Sequence, residues 1–257
     1  ISTESQIALP DMIVMGHSVG AVSMLAWVHD YAPPIRAMVV ATPALRVKLY
    51  VPFAIPLLRF KERLLGRGYV KSYVKATMLT HDPEQAAGYQ ADKIIFRQIA
   101  VNILLDLYDT STRLMADAGA ITTPTLLIGA GADWVVSVDA QREFFRDLSS
   151  PVKEMEVFPN LYHAVFHEKG REQVVARARK FIIERFAAPP VQTSLLNADK
   201  VGYTKNEYDR LSSPGGLKFA PVKLSMRTLG RLSKGIDIGW QSGFDGGVTL
   251  DPVYKHK

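Results

Sequence analysis

The stretch Met12-Ile13-Val14-Met15-Gly16-His17-Ser18-Val19-Gly20 decides the fold. Its four leading apolar residues read as a short buried strand. Residues 21–31, with Val22, Leu25, Ala26 and Val28 apolar, read as a helix. A serine stands at the turn between them, with a glycine two residues away on each side. This order pushes the serine out of the sheet, and its hydroxyl projects from the strand end where a base can reach it. The two glycines are expected because a side chain at either place would meet the neighbouring strand or helix. The first N–H groups of the helix, beginning with Val19, point beside Ser18 and can donate to an oxyanion. A bare Gly-x-Ser-x-Gly would arise by chance about 0.1 times in a chain of this length. The strand before it and the helix after it give the match its weight.

Outward from the turn, Pro33-Pro34 ends the helix, and residues 36–41 form a second apolar strand closed by Thr42-Pro43. Strand, helix and strand within about 30 residues make a βαβ unit, so the sheet is parallel. Residues 44–119 break the alternation and offer no convincing strand. They hold an apolar run, 50–58, interrupted by Pro52 and Pro56, then a basic stretch over 59–75. The strongly apolar residues 92–115 are expected to be helical. This region reads as a helical cap inserted over the strand ends. The α/β pattern then resumes with a strand over 125–129, a helix over 141–148, a strand over 153–158 and an amphipathic closing helix over 172–186. Ala187 to Pro190 marks a domain end. The remainder has little periodicity, with short helices expected over 205–211 and 224–232 and turns at 212–216 and 243–247. The expected fold class is α/β, a parallel sheet with a helical cap, in a domain over 1–186 followed by a basic linker over 187–257.

Composition sets outer bounds. The chain has 257 residues, 47% hydrophobic and 22% charged, which is ordinary for a globular protein. No apolar run approaches the 18 residues of a membrane span, and a cytoplasmic location is the expectation. The lack of cysteine excludes disulfides, thiol catalysis and cysteine-ligated metals. The net charge of +6 is uneven: residues 1–186 carry +2 and residues 187–257 carry +4. The basic tail reads as a solvated segment, and no zinc-finger or RNA-binding signature accompanies it, so no nucleic-acid partner is expected. The chain opens on Ile1, and the serine turn comes early for a strand that normally sits mid-sheet. The expectation is therefore a domain whose first strands are missing, with any signal peptide lying upstream.

A serine hydroxyl needs a base, and the base needs a carboxylate to hold its tautomer. On such a sheet the order is serine, acid, histidine, each on a loop after a strand. Asp133 follows the strand over 125–129 across Gly129-Ala130-Gly131-Ala132 and is the acid candidate; its rival Asp139 reads as a helix N-cap. His163 follows Phe158 through Pro159-Asn160-Leu161-Tyr162 and is the base candidate. His167 is the rival, in a turn or early helix. His17 should point away from Ser18, as packing or a supporting group, while His29, His81 and His256 stand in no motif. No HExxH or carboxylate cluster suggests a metal, and no cofactor is called for.

The three segments together resemble the catalytic segments of the α/β-hydrolase fold: Gly16-His17-Ser18-Val19-Gly20, Gly131-Ala132-Asp133-Trp134-Val135-Val136 and Pro159-Asn160-Leu161-Tyr162-His163. More narrowly, they are similar to the monoacylglycerol lipase and lysophospholipase group of the serine aminopeptidase-like hydrolases. The separations, 115 residues from Ser18 to Asp133 and 30 from Asp133 to His163, suit that group. The resemblance covers about residues 1–186. It implies Ser18 as nucleophile, Asp133 as acid, His163 as base and the Val19 N–H as one oxyanion donor. The family's second donor comes from an earlier loop, often His-Gly, for which there is no room before Ser18. The piece is therefore expected to turn over weakly or not at all.

The resemblance implies a small-molecule lipid ester as substrate, with residues 50–58 and 92–115 as an acyl-chain wall and peripheral membrane contact through the cap. Two other readings stay open. A peptide hydrolase would need acidic groups to hold an amino terminus, for which Asp106 and Asp109 are candidates. A non-catalytic module fused to a methyltransferase is the other. Gly202-Tyr203-Thr204-Lys205 and Trp240-Gln241-Ser242-Gly243-Phe244-Asp245 resemble the junction in bacterial proteins that join such a hydrolase to a class I S-adenosylmethionine methyltransferase. That enzyme's glycine motif is absent, so no cofactor residues follow.

Overall fold

In the computed structural model the described residues are 6–51, 53–66 and 68–191. The expected features at 205–211, 212–216, 224–232 and 243–247, and His256, lie outside them.

Among the described residues, four parallel strands form the main sheet: β1 (Ile13–His17), β2 (Ala37–Ala41), β5 (Thr125–Ala130) and β6 (Lys153–Phe158), in spatial order β1-β2-β5-β6. Helix α1 (Val19–Tyr31) makes the β1-to-β2 crossover, and α5 (Val138–Asp147) makes the β5-to-β6 crossover. Helix α6 (Arg171–Ala187) closes the domain. The central strands β2 and β5 are buried at every position, as continuous apolar runs covered on both faces must be. Met38, Val40 and Leu127 face one core with Leu25 of α1 and Phe144 of α5. Val39, Leu126 and Ile128 face the other with Val174, Ala178 and Phe181 of α6. The strand period of two thus splits one apolar run between two cores.

The cap lies between β2 and β5 in sequence. It holds α2 (Ala54–Leu65), α3 (Pro83–Ala91), α4 (Val101–Ala116) and a ribbon of β3 (Tyr69–Lys71) and β4 (Gln98–Ala100). The antiparallel ribbon corrects the expectation of a strandless insertion. Its strands are three residues each, too short for periodicity to register. The ribbon also shortens the helix expected over 92–115, which begins at Val101. Asp92 Oδ1 accepts the Ile94 N–H at 2.8 Å, a local bond that competes with helix. Ile94 and Phe96 are consequently 84% exposed. Helix α3 has a sequence signature, Asp82-Pro83: the Asp82 carboxylate accepts the N–H groups of Glu84 and Gln85, and Pro83 opens the first turn. The α5 cap is Ser137, whose hydroxyl accepts the Ala140 N–H, and not Asp139.

Candidate active site

The register of β1 on β2 pairs Gly16 with Val40 and His17 with Ala41, so Ser18 leaves the sheet beside Thr42. Ser18 has φ 54° and ψ −120°, a strained backbone for a residue with a Cβ. Its N–H donates to Ala41 O at 3.0 Å, while its carbonyl accepts from Val22 and Ala44. Gly16 permits the turn: a Cβ there would stand 2.7 Å from the Ala21 Cα. Gly20 is different. A Cβ at that position meets nothing within 4 Å among the described residues, which corrects the expectation that both glycines avoid collision. Val19 opens α1, so its N–H is one of the helix-terminal donors without an intrahelical acceptor.

Asp133 and His163 are brought to this turn by the ends of β5 and β6. Gly131 N–H donates to Phe158 O, and Ala132 N–H donates to Leu161 O, which ties the two loops together. A Cβ on Gly131 would stand 2.5 Å from Pro159 O, so only glycine lets these backbones approach. Asp133 Oδ1 accepts the N–H groups of Val135 and Val136 at 2.7 and 2.9 Å. Its Oδ2 is 2.8 Å from His163 Nδ1. His163 Nε2 is 2.8 Å from Ser18 Oγ. A carboxylate can only accept, so Nδ1 carries the proton and Nε2 is left to accept from the serine. Asp133 and His163 are both 3% exposed.

The rivals stand elsewhere. Asp139 is exposed and paired with Arg142. His167 lies in a turn with Nδ1 3.1 Å from Gln85 Oε1. His29 is buried between Asp30 and Asp117, where Arg113 also binds Asp30. Asp109 is taken by Arg59, and Asp106 is exposed.

Several groups support Asp133 and His163, and of these the sequence had singled out His17 alone, as packing or a supporting group. His17 Nε2 and Thr42 Oγ1 both donate to His163 O at 3.0 Å. Burial lowers the His17 pKa, only partly opposed by its bond to the His163 carbonyl. The neutral ring donates through Nε2, since a carbonyl can only accept. Thr42 could have been found: it follows the residue that pairs with His17. Lys48 Nζ donates to Asp133 O at 2.6 Å, and the Tyr50 hydroxyl donates to Trp134 O at 2.6 Å, so the start of the cap grips the acid loop. The Tyr73 hydroxyl donates to Lys48 O, and burial pushes its pKa up to about 12. Nearby is a cavity of about 170 Å³ lined by Leu45, Val47, Leu49, Ile55, Leu104 and Leu107, among others. Of the two stretches expected to wall a pocket, it takes Ile55 from the first and α4 residues from the second. Val51, Phe53 and Leu57 are exposed.

Comparison with known proteins agrees with this architecture. The chain is 20% identical to the monoacylglycerol lipase of Paleococcus ferrophilus, whose crystal structure superposes with a TM-score of 0.65 over 71% of each chain. A soluble variant of the Saccharomyces cerevisiae monoglyceride lipase superposes with a TM-score of 0.64 at 14% identity, over 75% of this chain and 66% of that one. Both share the α/β-hydrolase fold with this chain. In sequence it is 41% identical over its whole length to the uncharacterized protein YnbC of Escherichia coli (strain K12), and spans 45% of that protein. It is 27% identical to the monoacylglycerol lipase of Mycolicibacterium smegmatis over 66% of this chain and 61% of that protein. The chain thus spans about half to two thirds of the length of these relatives. Residues 178–257 match the family described as "Putative methyltransferase", so the tail is methyltransferase-like. Residues 2–170 match the family described as "Serine aminopeptidase, S33", and with two thirds of its length in that match, the chain belongs to this family of α/β-fold hydrolases.

Proposed function

We propose that this hydrolase cleaves carboxylic esters of lipids, of monoacylglycerol or lysophospholipid type, through Ser18, His163 and Asp133. The observation that carries the reading is the unbroken line from Ser18 Oγ through both nitrogens of His163 to Asp133 Oδ2, with 2.8 Å at each step. Ser18 Oγ attacks the ester carbonyl carbon and gives its proton to His163 Nε2. The tetrahedral oxyanion takes the Val19 N–H. Its collapse breaks the ester C–O bond, and His163 returns the proton to the departing alkoxide. Water then attacks the acyl-enzyme, again losing a proton to His163. The acid leaves and Ser18 recovers its hydrogen. Asp133 holds the Nδ1 proton and stabilises the imidazolium throughout.

The ester reading is supported by the mostly apolar cavity that the cap forms between Leu45, Val47, Ile55, Leu104 and Leu107, and by the lipase relatives. A peptide substrate would need free carboxylates for its ammonium group, and Asp109 is already bound by Arg59. Phe53, Leu57, Phe60 and Leu64 form one exposed stripe at helical spacing on and before α2, beside Lys61 and Arg63. That stripe would set the cap on an anionic lipid surface, where the substrate resides. Residues 187–257 are assigned to a linker and the start of a methyltransferase-like domain.

A fluorophosphonate probe tests the reading. Labelling should be lost in Ser18→Ala and followed in wild type by loss of monoacylglycerol turnover. Equal labelling of the two proteins would refute it.

A further inference from the structure

One carboxylate that takes no part in this chemistry holds the loop on which His163 stands. Glu168 is 1% exposed, five residues past His163. Its Oε1 accepts the Tyr162 N–H at 2.8 Å and lies 2.8 Å from His81 Nδ1. Its Oε2 accepts the N–H groups of His81 at 2.9 Å and Lys169 at 3.1 Å, with Thr80 Oγ1 also at 3.1 Å. Burial would raise the pKa of such a carboxyl. The donors from Tyr162 and His81 outweigh it, and Glu168 stays below its ordinary value.

The same contacts join the cap to the histidine loop. Leu79 O accepts the Ala164 N–H at 2.9 Å. Thr80 Oγ1 is 2.7 Å from His167 O. The His81 ring stacks on Tyr162 with centroids 3.6 Å apart and planes 31° from parallel. The peptide N–H groups on both sides of His163 are therefore fixed by this bracket. That of Ala164 is held by Leu79, and that of Tyr162 by the carboxylate that His81 in turn holds. From within the domain, His17 and Thr42 hold the His163 carbonyl. The backbone of His163 has partners before, at and after the residue, and they fix the point from which its imidazole reaches Asp133 and Ser18.

We infer that Glu168 is a positioning residue for His163, acting with cap residues 79–81 to aim the imidazole at Ser18. The inference rests on the triad reading above. It makes alignment of the base depend on a contact with the cap, so seating of the cap and readiness of the base are one event. A carboxylate is required because four fixed N–H groups converge on it. An amide would turn its own N–H2 toward two of them.

The test compares Glu168→Gln and His81→Phe with wild type. The second variant keeps the ring on Tyr162 and the backbone bonds to Glu168. The readouts are kcat and KM on a short-chain ester, the low-field proton resonance of His163 Nδ1–H, and the melting temperature. Misplacement of a catalytic group by about 1 Å costs about 100-fold. Glu168→Gln should approach that loss in kcat with KM within about twofold, and its low-field resonance should shift or broaden. His81→Phe should show the same changes at about a tenth of the size. A folded Glu168→Gln with wild-type kcat and an unmoved resonance overturns the inference. Where that variant does not fold, the same null result in His81→Phe overturns it. Where turnover is too weak to follow, the rate of fluorophosphonate labelling replaces kcat. If the probe labels Ser18→Ala as fast as wild type, the triad reading falls, and the inference falls with it.

Discussion

His17 Nε2 donates to the carbonyl oxygen of His163 at 3.0 Å, so the residue before the candidate nucleophile holds the backbone of the candidate base. The two rings lie 5.1 Å apart. A protonated His17 would place a cation against the imidazole that must itself become cationic during catalysis. Burial opposes this by lowering the His17 pKa from its ordinary value.

That depression has a sign. The unfolded chain takes up a proton at His17 at higher pH than the folded one, so stability is full above about 6.5 and declines as pH falls below it. Glu168 adds a second, more acidic loss, since its folded pKa lies below 4.5 and its contribution disappears as pH falls through that lower value. Calorimetry should show a melting temperature that drops on acidification from about pH 7 to 5.5, with a shallower drop in His17→Gln. Equal slopes would assign the acid sensitivity elsewhere.

Asp133→Asn tests the tautomer. The amide can turn its N–H2 toward His163 Nδ1, which then accepts and leaves Nε2 protonated toward Ser18. Fluorophosphonate labelling should slow about 10⁴-fold without loss of fold. Labelling within tenfold of wild type would remove Asp133 from its role.

The glycines of the serine turn should separate sharply. Gly16→Ala places a Cβ 2.7 Å from backbone and should destabilise by about 1–3 kcal/mol. Gly20→Ala enters open space inside α1 and should be neutral or stabilise by about 0.5–1 kcal/mol. Urea unfolding of the two variants checks this, and a reversed order would count against the close approach of Gly16 to α1. Gly131→Ala, pressed against Pro159, should behave like Gly16→Ala.

The exposed stripe on the cap predicts retention on vesicles rich in anionic lipid. Phe53→Ser with Phe60→Ser should lower co-sedimentation severalfold and leave turnover of a soluble ester unchanged. Unchanged sedimentation would leave the stripe without that role.

The sequence by itself determined the parallel α/β order and the identity of the candidate serine, acid and base. Those features are local: apolar period, glycine at a strand end, and distance from the preceding strand. The same logic misplaced the start of α4, where Asp92 forms a turn and β4 finds a partner in β3. Three-residue strands exist only because they pair. It also explained Gly20 by a collision that the fold does not produce. The tertiary structure alone decided how the groups that hold His163 come together. His17, Thr42, His81 and Glu168 come from four separate stretches and carry no shared spacing. Hydrogen bonds between remote segments depend on where the strands end in space, and nothing in the order of residues along a loop encodes that distance.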